Sequence, residues 1–226
     1  MSARVRTLNA TASTRPLVRC EGLVVGRRGI ACAPPIYLEI GAGERVAVTG
    51  RNGAGKTTFL KTLAGQLLPV AGKAQVLGMV LGRTHAHELS RSGLAYVGDD
   101  RGVFLTLSVR QQVELAIAMP FTIDLARSLT DPVATIASRP KRRVATLSGG
   151  ERQVLGIGCA LFRKPKVLIV DELTQGLQSE TRHALLDRLM RTSCSQGLTV
   201  IFSDDHEWVI ERLATHRLDL EDGTLS

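Results

Sequence analysis

One short segment constrains this chain more than any other: Gly50-Arg51-Asn52-Gly53-Ala54-Gly55-Lys56-Thr57-Thr58 fits G-x-x-x-x-G-K-[ST] in full. Gly50, Gly53 and Gly55 carry no Cβ, so successive N–H groups can turn inward around an anion that a bulkier loop would exclude. The anion that suits such a loop is the phosphate chain of a nucleoside triphosphate. Lys56 would place a point charge on the outer phosphates and Thr57 would offer its hydroxyl to Mg²⁺, while the following helix adds the positive end of its dipole. A glycine-rich turn alone only joins a strand to a helix, so its neighbours decide the reading. Arg45 to Thr49 reads as a buried strand centred on Val46, Ala47 and Val48, and Thr57 to Leu67 places Phe59, Leu60, Leu63, Ala64 and Leu67 at helical spacing. Strand, loop and helix are the setting the pattern requires.

Composition limits what surrounds this loop. A chain of 226 residues, 44% of them apolar, can bury one substantial core with room for an inserted lobe. Its longest apolar run, Val154 to Phe162, contains Gly156 and Gly158 and falls short of the ~18 residues that cross a bilayer. Cys20, Cys32, Cys159 and Cys194 form no C-x-x-C pair, which suggests neither a disulfide framework nor a zinc site and fits a reducing compartment. The net charge of +8 admits attraction to nucleic acid or to an anionic membrane, and its densest run, Arg139 to Arg143, reads as a solvated loop. Residues 1–20 hold Arg4, Arg6, Arg15 and Arg19 with no acid, a composition like that of a transit peptide. A disordered basic tail over 1–16 is the preferred reading, and without an apolar h-region secretion is not expected.

Along the chain, Leu17 to Val25 and Ile36 to Ile40 read as strands joined by the turn-rich Gly26 to Pro35, and Leu94 to Val97 as another strand. The pattern then turns helical. Ser108 to Gln111 is a capping box before Val109, Val113, Ala116 and Ile117, and helical pieces are expected at Ile123 to Leu129 and Pro132 to Ala137. Val167 to Val170 and Thr199 to Phe202 are β-branched apolar runs separated by the helical pattern Glu180 to Met190, which implies a parallel sheet.

Asp171 and Glu172 follow the strand Val167 to Val170, where an α/β sheet presents its ligand-binding groups. Asp171 would hold Mg²⁺ through water, and Glu172 would be the base that orients and deprotonates an attacking water. Leu147-Ser148-Gly149-Gly150-Glu151-Arg152-Gln153 is a second small-residue turn opening a helix and suits a second anion contact.

Together these segments resemble the ATP-binding cassette ATPases over residues 17–226, with Gly50 to Thr58 as Walker A, Leu147 to Gln153 as the signature and Leu168 to Glu172 as Walker B. The resemblance implies an α/β fold: a P-loop NTPase (RecA-like) core with an antiparallel β subdomain, residues 17–98 and 165–226, and an inserted helical subdomain, residues 99–164. It implies Mg²⁺ and ATP as ligands, bound between Walker A of one subunit and Ser148, Gly149 and Gly150 of a second, identical or different. It further implies integral membrane transporter subunits as partners, no nucleic acid, and a peripheral position on the cytoplasmic face of the inner membrane. Ala95 to Phe104 with Leu107-Ser108-Val109, through Arg101 and Phe104, is similar to the matching segment of branched-chain amino-acid and urea importer ATPases.

Several positions depart from the family pattern. The usual Gln in the loop entering the helical lobe is Asp99, shorter and charged, which leaves Thr57, Asp99 and Asp171 as the expected metal set. The usual His beyond the last core strand is Asp205 when counted back from Asp222-Gly223, or His206 after a one-residue shift. Both stay open as catalytic candidates beside Lys56 and Glu172. Leu173 replaces the usual Pro, Thr174 to Gln178 lacks the common terminal Asp, and the loop that usually stacks an aromatic on adenine offers Arg27 and Arg28. His85, His87, His183 and His216 have no ligand spacing, and Trp208, Tyr37 and Tyr96 read as packing residues.

The expectation is the ATP-hydrolysing subunit of a transporter, with import of a small polar solute as the first guess. One alternative is the degenerate half of a heterodimer with little hydrolysis of its own. Another, prompted by the charge, is a soluble cassette protein acting on ribosomes or DNA, although such proteins usually carry two cassettes or a long coiled coil.

Overall fold

The computed structural model describes residues 15–118 and 133–225. The expected helical piece at Ile123 to Leu129 and nearly all of the basic tail over 1–16 lie outside them. β-branched runs become strands where both faces can be covered. β1 (Val18–Val24), β4 (Ile36–Ile40), β6 (Ala71–Val76) and β7 (Met79–Val80) form an antiparallel sheet of order β4-β1-β6-β7. β2 (Gly26–Arg27) and β3 (Ile30–Ala31) form a small hairpin within the turn-rich connection. The second sheet contains β5 (Arg45–Thr49), β8 (Leu94–Val97), β9 (Val167–Val170), β10 (Thr199–Phe202), β11 (His216–Asp219) and β12 (Thr224–Leu225), in the order β12-β11-β5-β10-β9-β8. It is parallel from β11 through β8, and β12 closes it antiparallel.

Alternation along the strands distributes the core to both faces of this sheet. Val46, Val48, Ile169 and Ile201 pack with Phe59, Leu60 and Leu63 and with the antiparallel sheet. Ala47, Leu168, Val170, Val200 and Phe202 pack on the other face with Val97, Leu155, Ile157 and Leu186. The α/β architecture expected from the sequence, a parallel core with an antiparallel subdomain, is therefore present.

The helices are α1 (Lys56–Leu63), α2 (Ala86–Ser92), α3 (Val109–Ile117), α4 (Val133–Ala137), α5 (Gly149–Phe162), α6 (Ser179–Gln196) and α7 (Glu207–Leu213). α3, α4 and α5 pack on one another and form the helical lobe. The apolar run containing Gly156 and Gly158 is the buried C-terminal half of α5, and its glycines admit close neighbours. A Cβ on Gly156 would lie 1.8 Å from the Arg101 carbonyl oxygen. α1 ends at Leu63, not at Leu67 as the spacing predicts, because Gly65 turns to φ +72 beside Leu89 and stops the helix. α6 runs beyond the expected Met190 to Gln196, where Gly197 caps it. β6, β7, α2, β11 and β12 have too little apolar periodicity to be read from the sequence.

Candidate functional site

The loop between β5 and α1 is built on left-handed glycines, with φ 132 at Gly50, 89 at Gly53 and 100 at Gly55. At Gly55 a side chain is excluded twice, by that φ and by Cys32, whose Sγ lies 2.7 Å from where a Cβ would stand. Ala54 N–H donates to Arg51 O at 3.0 Å and closes the turn, and Arg51 N–H donates to Glu221 Oε1 at 2.9 Å. Arg51, Asn52 and Gly53 form its exposed rim. Lys56 folds back across the loop, donating to Gly50 O at 2.8 Å. Thr58 is buried, and the first turn of α1 contains no acid, so the helix dipole is left for an external anion.

Thr57, Asp99, Arg101, Gln153, Asp171, Glu172 and Gln175 line a single cleft of about 310 Å³. Asp171 is nearly buried, and the Ser203 hydroxyl donates to its Oδ1 at 2.7 Å while accepting the Glu172 N–H at 2.8 Å. One serine past β10 therefore positions both acids past β9. Glu172 adopts φ 53, a costly conformation for this residue type, which Ser203 and the Gln153 amide, donating to Glu172 O at 3.2 Å, hold in place. Partial burial, then the charges of Asp171, Asp205 and Asp99, push the Glu172 carboxyl above its usual range, and Arg101 opposes them.

Beyond β10, Asp205 Oδ1 stands 4.0 Å from Lys56 Nζ. His206 is held elsewhere: its Nδ1 is 2.9 Å from Oδ1 of the buried Asp204, whose other oxygen accepts the Thr174 N–H and hydroxyl at 2.8 and 2.7 Å. The structure thus brings Asp205, and not His206, to the phosphate-loop lysine. Asp99 reaches the cleft but is bonded to Lys61 Nζ at 2.9 Å, and that bond first, with Arg27 adding to it, holds its carboxyl below the usual range.

The hydroxyl of Thr57 and the carboxylates of Asp171 and Asp99 are hard oxygen donors of the kind Mg²⁺ takes. Among the described residues no three His, Cys, Asp or Glu side chains converge on one point.

The second small-residue turn lies in a different cleft. Ser148 caps α5, exchanging bonds with Glu151 at 3.1 and 2.7 Å, and Arg142 braces Glu151 at 2.7 Å. Ser148 and Gly150 line a cavity of about 530 Å³ with Gly176 and Gln178, which shares no residue with the Thr57 cleft. Gly149 adjoins Arg101, whose Nη1 donates to its carbonyl and whose Nη2 donates to Gln175 Oε1 at 3.1 Å. Ser203, Lys61 and Asp204 had no sequence signal beyond their nearness to strand and helix ends. Arg101 stood out in the sequence only through its family likeness.

A protein-family model described as ABC transporter matches residues 34–175. A putative ABC transporter ATP-binding protein of Methanosarcina acetivorans is 29% identical, covering 96% of this chain and 41% of its own length. A high-affinity branched-chain amino acid transport ATP-binding protein, BraG, of Pseudomonas aeruginosa is 33% identical over 84% of this chain and 82% of its own length. The chain therefore spans less than half of the first relative and most of the second. Among solved structures, an ATP binding subunit of an ABC transporter superposes with a TM-score of 0.79 at 25% identity, covering 93% of this chain and 89% of that one.

Proposed function

The chain belongs to the ABC transporter family, and from that premise we propose that it is the ATP-hydrolysing subunit of a membrane transporter, working as a head-to-tail dimer. The observation that carries this reading is the separation of the two anion-suited turns. Thr57, at the end of the phosphate loop, and the Ser148–Gly150 turn line different clefts of one chain, and in this reading a second protomer supplies the turn that closes on the triphosphate.

In each shared site Lys56 and the glycine-loop amides hold the β- and γ-phosphates, and Thr57 and Asp171 would hold Mg²⁺, which supplies charge neutralisation on the transferred phosphoryl group. Glu172 orients a water in line with the γ-phosphorus and accepts its proton. A carboxyl raised toward the working pH is the stronger base for that step. Ser203 keeps the base and Asp171 in register.

No helix among the described residues is long and apolar enough to cross a membrane, and the transport pathway in this reading is a separate integral membrane subunit. It docks where Phe104, Leu105 and Leu115 stand exposed near the cleft between core and helical lobe. In this reading the chain is peripheral, on the cytoplasmic face of the inner membrane. A small polar solute, imported, is the favoured cargo; the BraG relative is named for branched-chain amino acid transport.

The test is Mg·ATP turnover by the purified chain and by Glu172→Gln. Turnover lost in the variant, with an ATP-dependent dimer accumulating by size-exclusion chromatography, supports the assignment; unchanged turnover removes Glu172 from the base role. The Lys56–Asp205 contact favours a second reading, a weakly hydrolysing half of a heterodimer. It predicts little turnover alone and turnover restored by a partner chain.

A further inference from the structure

Lys61 follows Thr57 by four residues on α1, so the two side chains share one helix face, the face that lines the phosphate cleft through Thr57. Asp99 lies two residues past β8 and Asp171 one residue past β9. These strands pair in register at Val97 and Val170, and the Asp171 N–H donates to Val97 O at 2.9 Å. The two acids therefore leave adjacent strand ends side by side, on the cleft where a cation would meet Thr57. Lys61 Nζ takes Asp99 Oδ2 at 2.9 Å. The lysine side chain is 20% exposed and the aspartate side chain 67%, so packing fixes the lysine while the acid keeps solvent on its far side.

We propose that Lys61 masks the Asp99 carboxylate and thereby sets how strongly nucleotide binding depends on Mg²⁺, a role that rests on the site assignment above. The cleft already contains Asp171 and Glu172, and Asp205 stands at Lys56. One more bare carboxylate would repel a triphosphate that carries no cation and would attract one that does. Lys61 cancels that charge in the first case and competes for it in the second. A Gln at position 99 would need no such partner; an Asp does.

The experiment is equilibrium binding of ATP to the full chain by calorimetry, in Mg²⁺ and in EDTA, read as the ratio of the dissociation constant in EDTA to that in Mg²⁺. Lys61→Met is expected to raise that ratio by about tenfold, since the bare acid penalises the cation-free complex and favours the cation-loaded one. Lys61→Arg restores the wild-type ratio. Asp99→Asn lowers the ratio below wild type, because Lys61 then stands unopposed, and Lys61→Met added to it brings the ratio back near the wild-type value. If both constants shift together in Lys61→Met, the lysine only supports the fold and the proposal is overturned. Should that variant not fold, an unchanged ratio in Asp99→Asn overturns it equally. A wild-type chain that binds ATP in neither condition overturns the site assignment and this proposal with it, whereas normal binding with insensitive ratios overturns this proposal alone.

Discussion

Lys56 Nζ stands 4.0 Å from Asp205 Oδ1, so the lysine of the phosphate loop already has an acid beside it. A γ-phosphate approaching Lys56 meets that acid as a like charge. At ~4 Å the repulsion is about 1 kcal/mol in water-like surroundings and about 4 kcal/mol at an effective dielectric near 20. The Asp205 side chain is 70% exposed, which places the effect near the lower figure. Asp205→Asn is therefore expected to bind Mg·ATP about fivefold more tightly, with the gain shrinking as salt rises. Titration of a fluorescent ATP analogue at low and high ionic strength checks this, and unchanged affinity at low salt contradicts it.

Glu172 carries a stability signature separate from its chemistry. Its folded pKa is raised above the ordinary 4.5 by burial and by Asp171, Asp205 and Asp99. The protonated form thus favours the native state, a contribution complete below the ordinary value and lost as pH rises through the raised one. At neutral pH the ionised side chain opposes folding. Glu172→Gln should accordingly melt at a higher temperature than wild type near neutrality, with the difference closing below pH 4.5. Thermal melts of both nucleotide-free chains across that range measure it.

What the sequence disclosed follows from how local the determining physics is. The phosphate loop, the β9 acids and the Ser148 cap each depend on residues within one turn or strand end, so spacing alone located them. Lys61–Asp99, Lys56–Asp205 and Asp204–Thr174 join positions 38, 149 and 30 residues apart, and no periodicity records such pairs. The choice between Asp205 and His206 depended on which residue caps α7. His206 takes that place through its bonds to Asp204, and this leaves Asp205 to face Lys56. Ala71-Gly72-Lys73-Ala74-Gln75-Val76 has little apolar character, and it is a strand because β1 and β7 pair with it on either side.

Arg101 spans the two halves of the site assignment. Its guanidinium donates to the Gly149 carbonyl on one side and to Gln175 Oε1 on the other, so the Ser148–Gly150 turn and the loop after Glu172 share one planar group. Lysine keeps the charge but cannot reach both acceptors with a fixed fork. Arg101→Lys is expected to lower turnover about tenfold, as loss of one charge-assisted bond of about 1.5 kcal/mol implies, while ATP affinity stays within about twofold. Steady-state hydrolysis beside equilibrium ATP binding separates the two effects.

Gly150 tests the two-protomer site from the other side. A Cβ there would lie 2.3 Å from the Gly176 carbonyl oxygen, and that obstacle is backbone, which cannot swing away as a side-chain tip can. Gly150→Ala must push the Ser148–Gly150 turn off the Gly176 loop, at a cost of about 1–3 kcal/mol in overpacking. Thr57, at the end of the phosphate loop, lines a separate cleft, and the loop keeps its own contacts. The variant monomer should therefore bind ATP normally and still fail to form the ATP-dependent dimer, even when combined with Glu172→Gln to prevent hydrolysis. Light scattering of the double variant with Mg·ATP reads this out. A dimer as stable as that of Glu172→Gln alone means that the serine–glycine turn is not the surface that meets the partner's triphosphate.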